Sequence, residues 1–335
     1  MLSRVAENLY WMARYLERAE NTARLVNVNG NLLLDLPPKV RPGWAPLIEI
    51  TGSEALFRQH YPTADERSVV KFLLGDGANT GSILSSLGAA RENARTVRDY
   101  MPREAWEQVN TLALHARSNL AAGLGHRRRY DYLRDIIHGV QQITGLLAGS
   151  MTHDEGYQFL RMGRNLERAD MTIRIIDVRS ANLLPEASDE LTPFRNIQWM
   201  SVLKSLSAYQ MYRRAMQVRV RRPDVLKFLF KERLFPRAVY HAVCEVENCL
   251  RTLPRSEAAI ARAVETKELV TGSRPEAMTQ AQLHAFIDLL EQQLSQLHAA
   301  ISAGYFLAAP SAAGWLDPAP VRFAVLAPLG PAGRS

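Results

Sequence analysis

Residues 14–24 read RYLERAENTAR, and residues 164–174 read RNLERADMTIR. Seven of these eleven positions are identical at an offset of 150, and an acid is kept at Glu20 and Asp170. The same offset continues at Val28 and Val178. A repeat of this length is too long for a solenoid unit, so the sequence predicts two copies of one larger unit.

A fainter echo follows each copy in the same order. The sequence KFL occurs at 71–73 and again at 227–229, and Glu92-Asn93 is matched by Glu247-Asn248. The common order favours duplication over chance. We therefore predict two related halves, about 1–150 and 151–305, arranged around a pseudo-two-fold axis.

Apolar residues recur at helical spacing along most of the chain. The stripe of Val5, Leu9, Met12 and Leu16 predicts a helix over 3–34, with Ser3 as its cap. Similar patterns predict one short helix after residue 53 and further helices at about 66–74, 80–100, 102–122, 128–149, 152–184, 191–219, 224–231, 235–252, 256–270 and 279–304. No segment has the pattern of a strand, so the expected fold is an all-α bundle of about ten to twelve helices. The Pro/Ala-rich tail, 306–335, is expected to be disordered.

Two helix boundaries carry specific expectations. Thr63 and Glu66 have the spacing of a capping box for the helix at 66–74, and Pro185 is expected to end the helix that begins near 152.

Composition narrows the class of protein. Hydrophobic residues make up 47% of the chain and charged residues 22%, as in ordinary soluble domains. The net charge is +7, and most basic residues are arginine, whose planar guanidinium suits paired binding of carboxylates. One basic cluster without acids spans Arg213–Arg222, but no known nucleic-acid-binding module accompanies it, so nucleic-acid binding is not expected.

The cysteines and the N-terminus bear on the compartment. Cys244 and Cys249 are five residues apart in a helical pattern, which directs them to different faces and disfavours a disulfide. The chain starts directly in an amphipathic pattern without a signal peptide, and no apolar run approaches the ~20 residues of a membrane span. We therefore expect a cytoplasmic protein without a membrane segment.

The repeated motif places charges in helices that are apolar nearly all round. Tyr10, Leu25 and Val28 lie on the same side of the first helix as its charged residues. Such a helix is expected at the centre of the bundle, where buried charges must be paired. The candidate site residues are Glu7, Arg14, Glu17, Arg18, Glu20, Arg24, Arg164, Glu167, Arg168, Asp170 and Arg174.

Two interpretations of this cluster remain open at the level of sequence. It can be an Arg–Glu network that holds the two halves in register. It can instead surround a cleft that binds an anion or carboxylate, with Glu17 and Glu167 as a possible acid/base pair. Catalytic residues cannot be assigned from the sequence.

Other chemistries find little support. None of the eight histidines has a glutamate three residues earlier, as a di-iron carboxylate bundle would require, so no metal or cofactor is expected. The glycine-rich segment 75–82 lacks the Lys-Ser/Thr ending of a phosphate-binding loop and is predicted to be a turn between helices. Both cysteines are expected to be structural.

With SRVAENLYW at 3–11, RYLERAENTAR at 14–24 and GRNLERADMT at 163–172, the chain closely resembles the bacterial alpha-E domain family over about residues 2–305. Members of this family are helical and carry characteristic glutamates, which here would be Glu7, Glu17, Glu20 and Glu167. Asp170 stands where the second half has its acid. The Pro/Ala-rich end after Tyr305 departs from the usual pattern of the family.

The resemblance implies partners. Members of the family accompany a circularly permuted ATP-grasp ligase, and often a transglutaminase-like protein. It therefore implies an accessory or scaffold role in ATP-dependent formation of amide or peptide bonds. The alternative is an enzyme or binding protein that uses the charged cleft on an amino acid or peptide.

Overall fold

A computed structural model describes residues 2–37, 39, 41–181 and 192–306. Within these ranges the chain forms fifteen α-helices and no strand, which confirms the all-α prediction. In chain order the helices are α1 (Ser3–Asp35), α2 (Ala45–Ile50), α3 (Glu54–His60), α4 (Glu66–Gly75), α5 (Ile83–Thr96), α6 (Arg103–Ser118), α7 (Leu120–Leu124), α8 (His126–Ser150), α9 (Glu155–Ala181), α10 (Thr192–Ser205), α11 (Tyr209–Met216), α12 (Arg222–Lys231), α13 (Val239–Leu250), α14 (Glu257–Gly272) and α15 (Gln280–Tyr305).

Helix α1 is the centre of the bundle. It has 33 residues, so it is about 50 Å long at 1.5 Å per residue. Every residue from 12 to 23 is buried, charged and apolar alike. A helix enclosed on all sides is what the embedded charges predict.

Helix α9 lies beside α1 and runs in the same direction. Contacts join Tyr10 to Gly163, Arg18 to Glu167 and Asn29 to Arg179, so position along one helix rises with position along the other. The approach is closest at Gly163, where an added Cβ would lie 2.2 Å from the carbonyl oxygen of Tyr10. Glycine is therefore required for this packing distance.

The remaining helices surround this pair in a regular way. Helices α5 and α8 pack on α1, and α6 covers both of them. Helices α13 and α15 pack on α9, and α14 covers both of those. The short helix α2 packs on α9, whereas α10 packs on α1. Each central helix thus contacts helices from both parts of the chain.

The number of helices was underestimated from sequence. The described residues contain three helices beyond the predicted set, namely α2, α7 and α11. Pro46 in the first turn of α2 favours the start of a helix at residues 45–50, where no helix was predicted. Asn119 separates α6 from α7, and Ser207, with φ of 53°, separates α10 from α11, so two predicted helices are each divided in two.

Two predicted caps are also wrong. Leu2 occupies the N-cap position of α1, and Ser3 is already helical. At α4 the cap is Asp65, whose carboxylate accepts a hydrogen bond of 2.9 Å from the backbone N–H of Ser68. Asp65 directly precedes the helix and so reaches this N–H, while the Thr63 hydroxyl donates to Asp65 itself.

Two expectations fall on residues outside the described ranges. These are the end of α9 at Pro185 and the tail from residue 307 onward. None of the described helices has an apolar stretch long enough to cross a bilayer.

Candidate functional site

The charged residues of α1 and α9 meet across the interface of the two helices. Glu167 on α9 accepts hydrogen bonds from Nε of Arg14 at 2.7 Å and from Nε of Arg18 at 2.6 Å. In return, Glu17 on α1 pairs with Nε of Arg168 at 3.1 Å. The Glu-Arg dipeptide of each motif therefore binds the Glu-Arg dipeptide of the other.

A loop residue completes the network from the second part of the chain. Arg237, between α12 and α13, places a guanidinium nitrogen 2.6 Å from Oε1 of Glu17 and another 3.1 Å from Oε1 of Glu20. It also donates to the side-chain oxygen of Asn21 at 2.6 Å. Glu20 is bound in addition by Arg24, four residues further along α1.

These buried side chains are shielded from water, and each stays ionised because it is paired with opposite charges. Burial alone would raise the pKa of Glu167, but the positive charges of Arg18 and Arg14 outweigh it and lower the pKa to about 2. For Glu17, Arg168 and Arg237 likewise overcome the effect of burial, and its pKa is lowered. Both carboxylates are ionised acceptors and poor proton donors at neutral pH, which does not favour the acid/base interpretation.

Of the other predicted site residues, some lie at or near the ion-pair network and one does not. Asp170 pairs with Arg174 at 3.0 Å, and Arg174 is also 3.8 Å from Glu291 on α15. Arg164 borders the network, and its Nε has no hydrogen-bond partner within the part of the chain that the structure describes. Glu7 is only half-buried near the start of α1, away from the network, and burial raises its pKa.

An aromatic group packs against one end of the network. The guanidinium of Arg14 lies 5.2 Å from the ring centre of Trp11, and the Tyr10 hydroxyl is 2.8 Å from Nδ1 of His298. Burial and the nearby charge of Arg14 lower the pKa of His298 to about 3. His298 is therefore neutral and acts as a hydrogen-bonding partner.

A cavity of about 590 Å³ opens beside this network. On the α1 and α9 side it is lined by Arg18, Thr22, Glu167, Asp170, Met171 and Arg174. Its other walls come from the end of α2, the start of α3 and the turn between them, and from the turn before α5, at residues 50–53, 55–56 and 78–81. Ala55, Ala78 and Thr80 are exposed, so the cavity can be reached from solvent.

A second cavity is much smaller. It has a volume of about 20 Å³ and lies between Glu17, Arg161 and Arg164. This is room for about one water molecule, which suits the unpartnered Nε of Arg164. Only the larger cavity has the size of a ligand site.

The other candidate chemistries do not build a site. The described residues contain no cluster of three or more His, Cys, Asp or Glu side chains suited to a metal ion. Cys244 and Cys249 are free thiols, as predicted, and burial raises the pKa of Cys249 to about 11. Segment 75–82 is a turn between α4 and α5, as predicted, although it also lines the larger cavity.

Sequence reasoning missed Arg237, Asn21 and His298. Arg237 lies in a loop without a helical pattern, and its partners on α1 are more than 200 residues away in sequence. Asn21 is inside the motif, but its counterpart is Met171, so the repeat gave no reason to select it. The one available signal was the alignment of the two loops, which pairs Arg237 with a glycine.

Comparison with known proteins agrees with this architecture. Residues 1–306 match the alpha-E family, which is described as a predicted alpha-helical domain with a conserved ER motif. The Glu-Arg dipeptides at 17–18 and 167–168 lie at the centre of the network described above.

Relatives in mycobacteria show the same region in a longer chain. Uncharacterized proteins of Mycobacterium bovis and Mycobacterium tuberculosis are each 23% identical over 319 residues, which is 89% of this chain. The chain spans only 35% of the length of either relative. No solved structure matches the chain significantly. With its family match over nearly all described residues and its paired Glu-Arg motifs, the chain belongs to the alpha-E family.

Proposed function

We propose that this protein is an accessory binding protein that holds an amino acid or the end of a peptide in the larger cavity. The observation that carries this proposal is the position of the cavity, which borders fixed charges of both signs. Arg18 and Arg174 lie on its wall beside Glu167 and Asp170. Two cations and two anions suit a zwitterion, because each end of the ligand meets an opposite charge.

Size and rigidity support the same conclusion. Pockets for small ligands typically have volumes of about 300–1,000 Å³, and this cavity is within that range. The Arg18–Glu167 and Asp170–Arg174 pairs hold the charged groups in place before a ligand arrives. Such preorganisation lowers the entropic cost of binding.

We further propose that the protein serves a ligase of the ATP-grasp type, with a transglutaminase-like protein as a possible additional partner. Amino acids and peptides are the substrates of carboxylate–amine ligation, so the proposed ligand suits that chemistry. The mycobacterial relatives carry this region within a longer chain, which is consistent with a module that works beside another domain. This part of the proposal depends mainly on the resemblance to the family.

We also infer that the two halves arose by duplication and are related by a pseudo-two-fold axis. The contacts support this inference. Helix α1 packs against α5 and α8, which α6 covers. In the same way, α9 packs against α13 and α15, which α14 covers. The ion pairs are reciprocal as well, since Glu17 binds Arg168 and Glu167 binds Arg18.

The binding proposal is tested by isothermal titration calorimetry with a panel of free amino acids and dipeptides. We expect saturable binding of at least one class, weakened about tenfold by Thr22→Val, because the buried Thr22 residue lines the cavity and its hydroxyl has no hydrogen-bond partner in the described ranges. Thr252→Val, a change just after α13 at a residue that does not line the cavity, is the matched control. Absence of binding across the panel at millimolar concentration contradicts the proposal.

The partner proposal has a separate test. A circularly permuted ATP-grasp ligase from the same organism is co-expressed with this protein, and the mixture is analysed by size-exclusion chromatography. Co-migration at micromolar concentration is expected. Separate elution contradicts a stable complex.

A further inference from the structure

The turns that precede α5 and α13 have the same backbone structure. In one, the N–H of Ser82 donates to the carbonyl of Asn79 at 3.0 Å, and in the other the N–H of Ala238 donates to the carbonyl of Phe235 at 3.0 Å. Ser82 and Ala238 are the N-cap residues of the two helices. The offset is 156, as it is for the KFL sequences at 71–73 and 227–229. Gly81 therefore corresponds to Arg237.

Arg237 connects the two central helices. Its carbonyl accepts a hydrogen bond of 2.9 Å from the Thr172 hydroxyl on α9. Its guanidinium crosses to α1, where it contacts Glu17, Glu20 and Asn21. The charges of Glu17 and Glu20 overcome the effect of burial and raise the pKa of Arg237, so it is a permanent cation.

The corresponding residue in the first part of the chain, Gly81, has no side chain. The buried hydroxyl of Thr22, the counterpart of Thr172, has no hydrogen-bond partner among the described residues. Gly81 and Thr22 both line the larger cavity. Its lining also includes Glu167, Asp170 and Met171, which correspond at an offset of 150 to the three partners of Arg237.

The corresponding carboxylates Glu20 and Asp170 also differ in the number of arginines that pair with them. Glu20 is paired with two arginines, Arg24 and Arg237. Among the described residues, its counterpart Asp170 is paired with Arg174 alone. Asp170 thus has one cation fewer than Glu20, on the wall of an open cavity.

We propose that the cavity takes a ligand with a guanidinium or primary ammonium group, which occupies the position that Arg237 fills in the other half. This inference rests on the proposed function and names its ligand class, a basic amino acid or a peptide with a basic side chain. The cation is received by Asp170, since both oxygens of Glu167 are already bound by Arg14 and Arg18. The ligand carboxylate is received by Arg18 or Arg174, the cations on the same wall.

The substitutions between the halves fit a ligand larger than a bare guanidinium. Asp170 is one methylene shorter than Glu20, and Met171 replaces the amide of Asn21. The shorter acid leaves room for the cation, and the methionine offers an apolar contact for the methylene stem of an arginine or lysine side chain.

The experiment compares L-arginine with L-citrulline by isothermal titration calorimetry of the full chain. Citrulline has nearly the same shape, but its side chain ends in an uncharged ureido group. We expect arginine to bind at least tenfold more tightly than citrulline, with lysine between them or close to arginine. Asp170→Asn is expected to weaken arginine binding at least tenfold and to leave citrulline binding unchanged. The exposed acid Asp131 provides the matched control, Asp131→Asn, with unchanged binding of both.

A second variant fills the cavity from within. Gly81→Arg places a guanidinium on the residue that corresponds to Arg237, so arginine binding is expected to be lost and the thermal midpoint to rise. Gly81→Ala is its control, because a Cβ at this position would lie 3.2 Å from Oδ1 of Asn79 whatever the side chain beyond it. The alanine variant has no guanidinium and is expected to keep measurable arginine binding, in contrast to Gly81→Arg.

The outcomes separate this inference from the proposed function. Equal affinity for arginine and citrulline, or normal arginine binding by folded Gly81→Arg, overturns the assignment of a cation while amino-acid binding stands. No binding of any amino acid or dipeptide overturns both. If Gly81→Arg does not fold, the decision falls to Asp170→Asn, and unchanged arginine affinity in that variant overturns the inference.

Discussion

Glu167 shows why the charged residues of the motif must act together. Its side chain is 1% exposed, as is that of Arg14, so neither ion is stabilised by water. Removing one member of such a pair leaves an uncompensated buried charge, which costs roughly 3–5 kcal/mol. The stability of the fold is therefore sensitive to single charges in this network.

We predict that Glu167→Gln lowers the free energy of unfolding by about 3–5 kcal/mol at pH 7, measured by urea denaturation. Arg14 and Arg18 would then be buried against a neutral amide. Glu107→Gln is the control, since Glu107 also pairs with an arginine, Arg103, but at the surface. It is expected to change stability by less than about 1 kcal/mol. Equal effects of the two substitutions would show that burial does not matter here.

The low pKa of Glu167 leads us to predict that the stability of the protein depends on pH. Its pKa is about 2 in the folded protein and 4.5 for a free glutamate, so the unfolded chain binds the proton first. The stabilisation is complete above about pH 4.5 and is lost as the pH falls towards 2, by about 3 kcal/mol in total. Urea titrations between pH 6 and pH 2 should show this loss in wild type and a smaller loss in Glu167→Gln. Parallel pH profiles of the two proteins would contradict the assignment.

At the scale of elements, the interface of α1 and α9 depends on a close approach of backbones. An added Cβ at Gly163 would lie 2.2 Å from the carbonyl oxygen of Tyr10, an atom that cannot move without the whole helix. Gly145 on α8 has open space around it, with nothing within 4 Å of an added Cβ. The two glycines have opposite consequences although both lie inside helices.

We predict that Gly163→Ala destabilises the protein by about 1–3 kcal/mol or more, because α1 and α9 must separate. Gly145→Ala is expected to stabilise it by about 0.5–1 kcal/mol, since alanine is the better helix former. Thermal unfolding followed by circular dichroism measures both. A neutral or stabilising Gly163→Ala would mean that the helices pack less closely than described.

The elements also show what sequence can predict. The apolar stripes and the embedded charges of the 14–24 motif correctly predicted long central helices, because periodicity is a local property of the chain. The helix breaks at Asn119 and Ser207 were missed, since a single residue with an altered backbone angle leaves the apolar period intact. The sequence predicted that the buried charges would be paired, but not which residues form each pair. Which arginine binds which glutamate depends on the register of α1 against α9, and that register is a tertiary property.

The cavity lay beyond prediction for the same reason. Its walls combine the middle of α1 and α9 with two turns from the first part of the chain, and Gly81, which has no side chain, lies in one of these turns. The repeat contained the relevant comparison, but the KFL sequences have an offset of 156 and the Glu-Asn pairs one of 155, and the hydrogen bonds of the two turns decide for 156, which aligns Gly81 with Arg237. A difference between copies becomes informative once the copies can be superposed.

On the scale of the whole molecule, neither part of the chain can neutralise its own buried ions. Glu17 of α1 depends on Arg168 and Arg237, and Glu167 of α9 depends on Arg14 and Arg18. Helix α10 packs on α1 while α2 packs on α9, so apolar burial is shared in the same way. Unfolding one part would expose the other to unpaired charge as well as to water.

We therefore predict that residues 2–306 unfold as one cooperative unit, despite their repeated sequence. The calorimetric and van't Hoff enthalpies should agree, and amide exchange in α5 and α13 should report the same free energy of opening. Arg237→Ala is expected to lower that free energy by about 3–5 kcal/mol in both helices, although Arg237 is close in sequence to α13 and far in sequence from α5. Arg262→Ala, which removes an exposed pair with Glu265, is the control and should change neither helix by more than about 1 kcal/mol. If α5 kept its protection while α13 lost it, the two parts would be independent, and the buried ion pairs would not couple them.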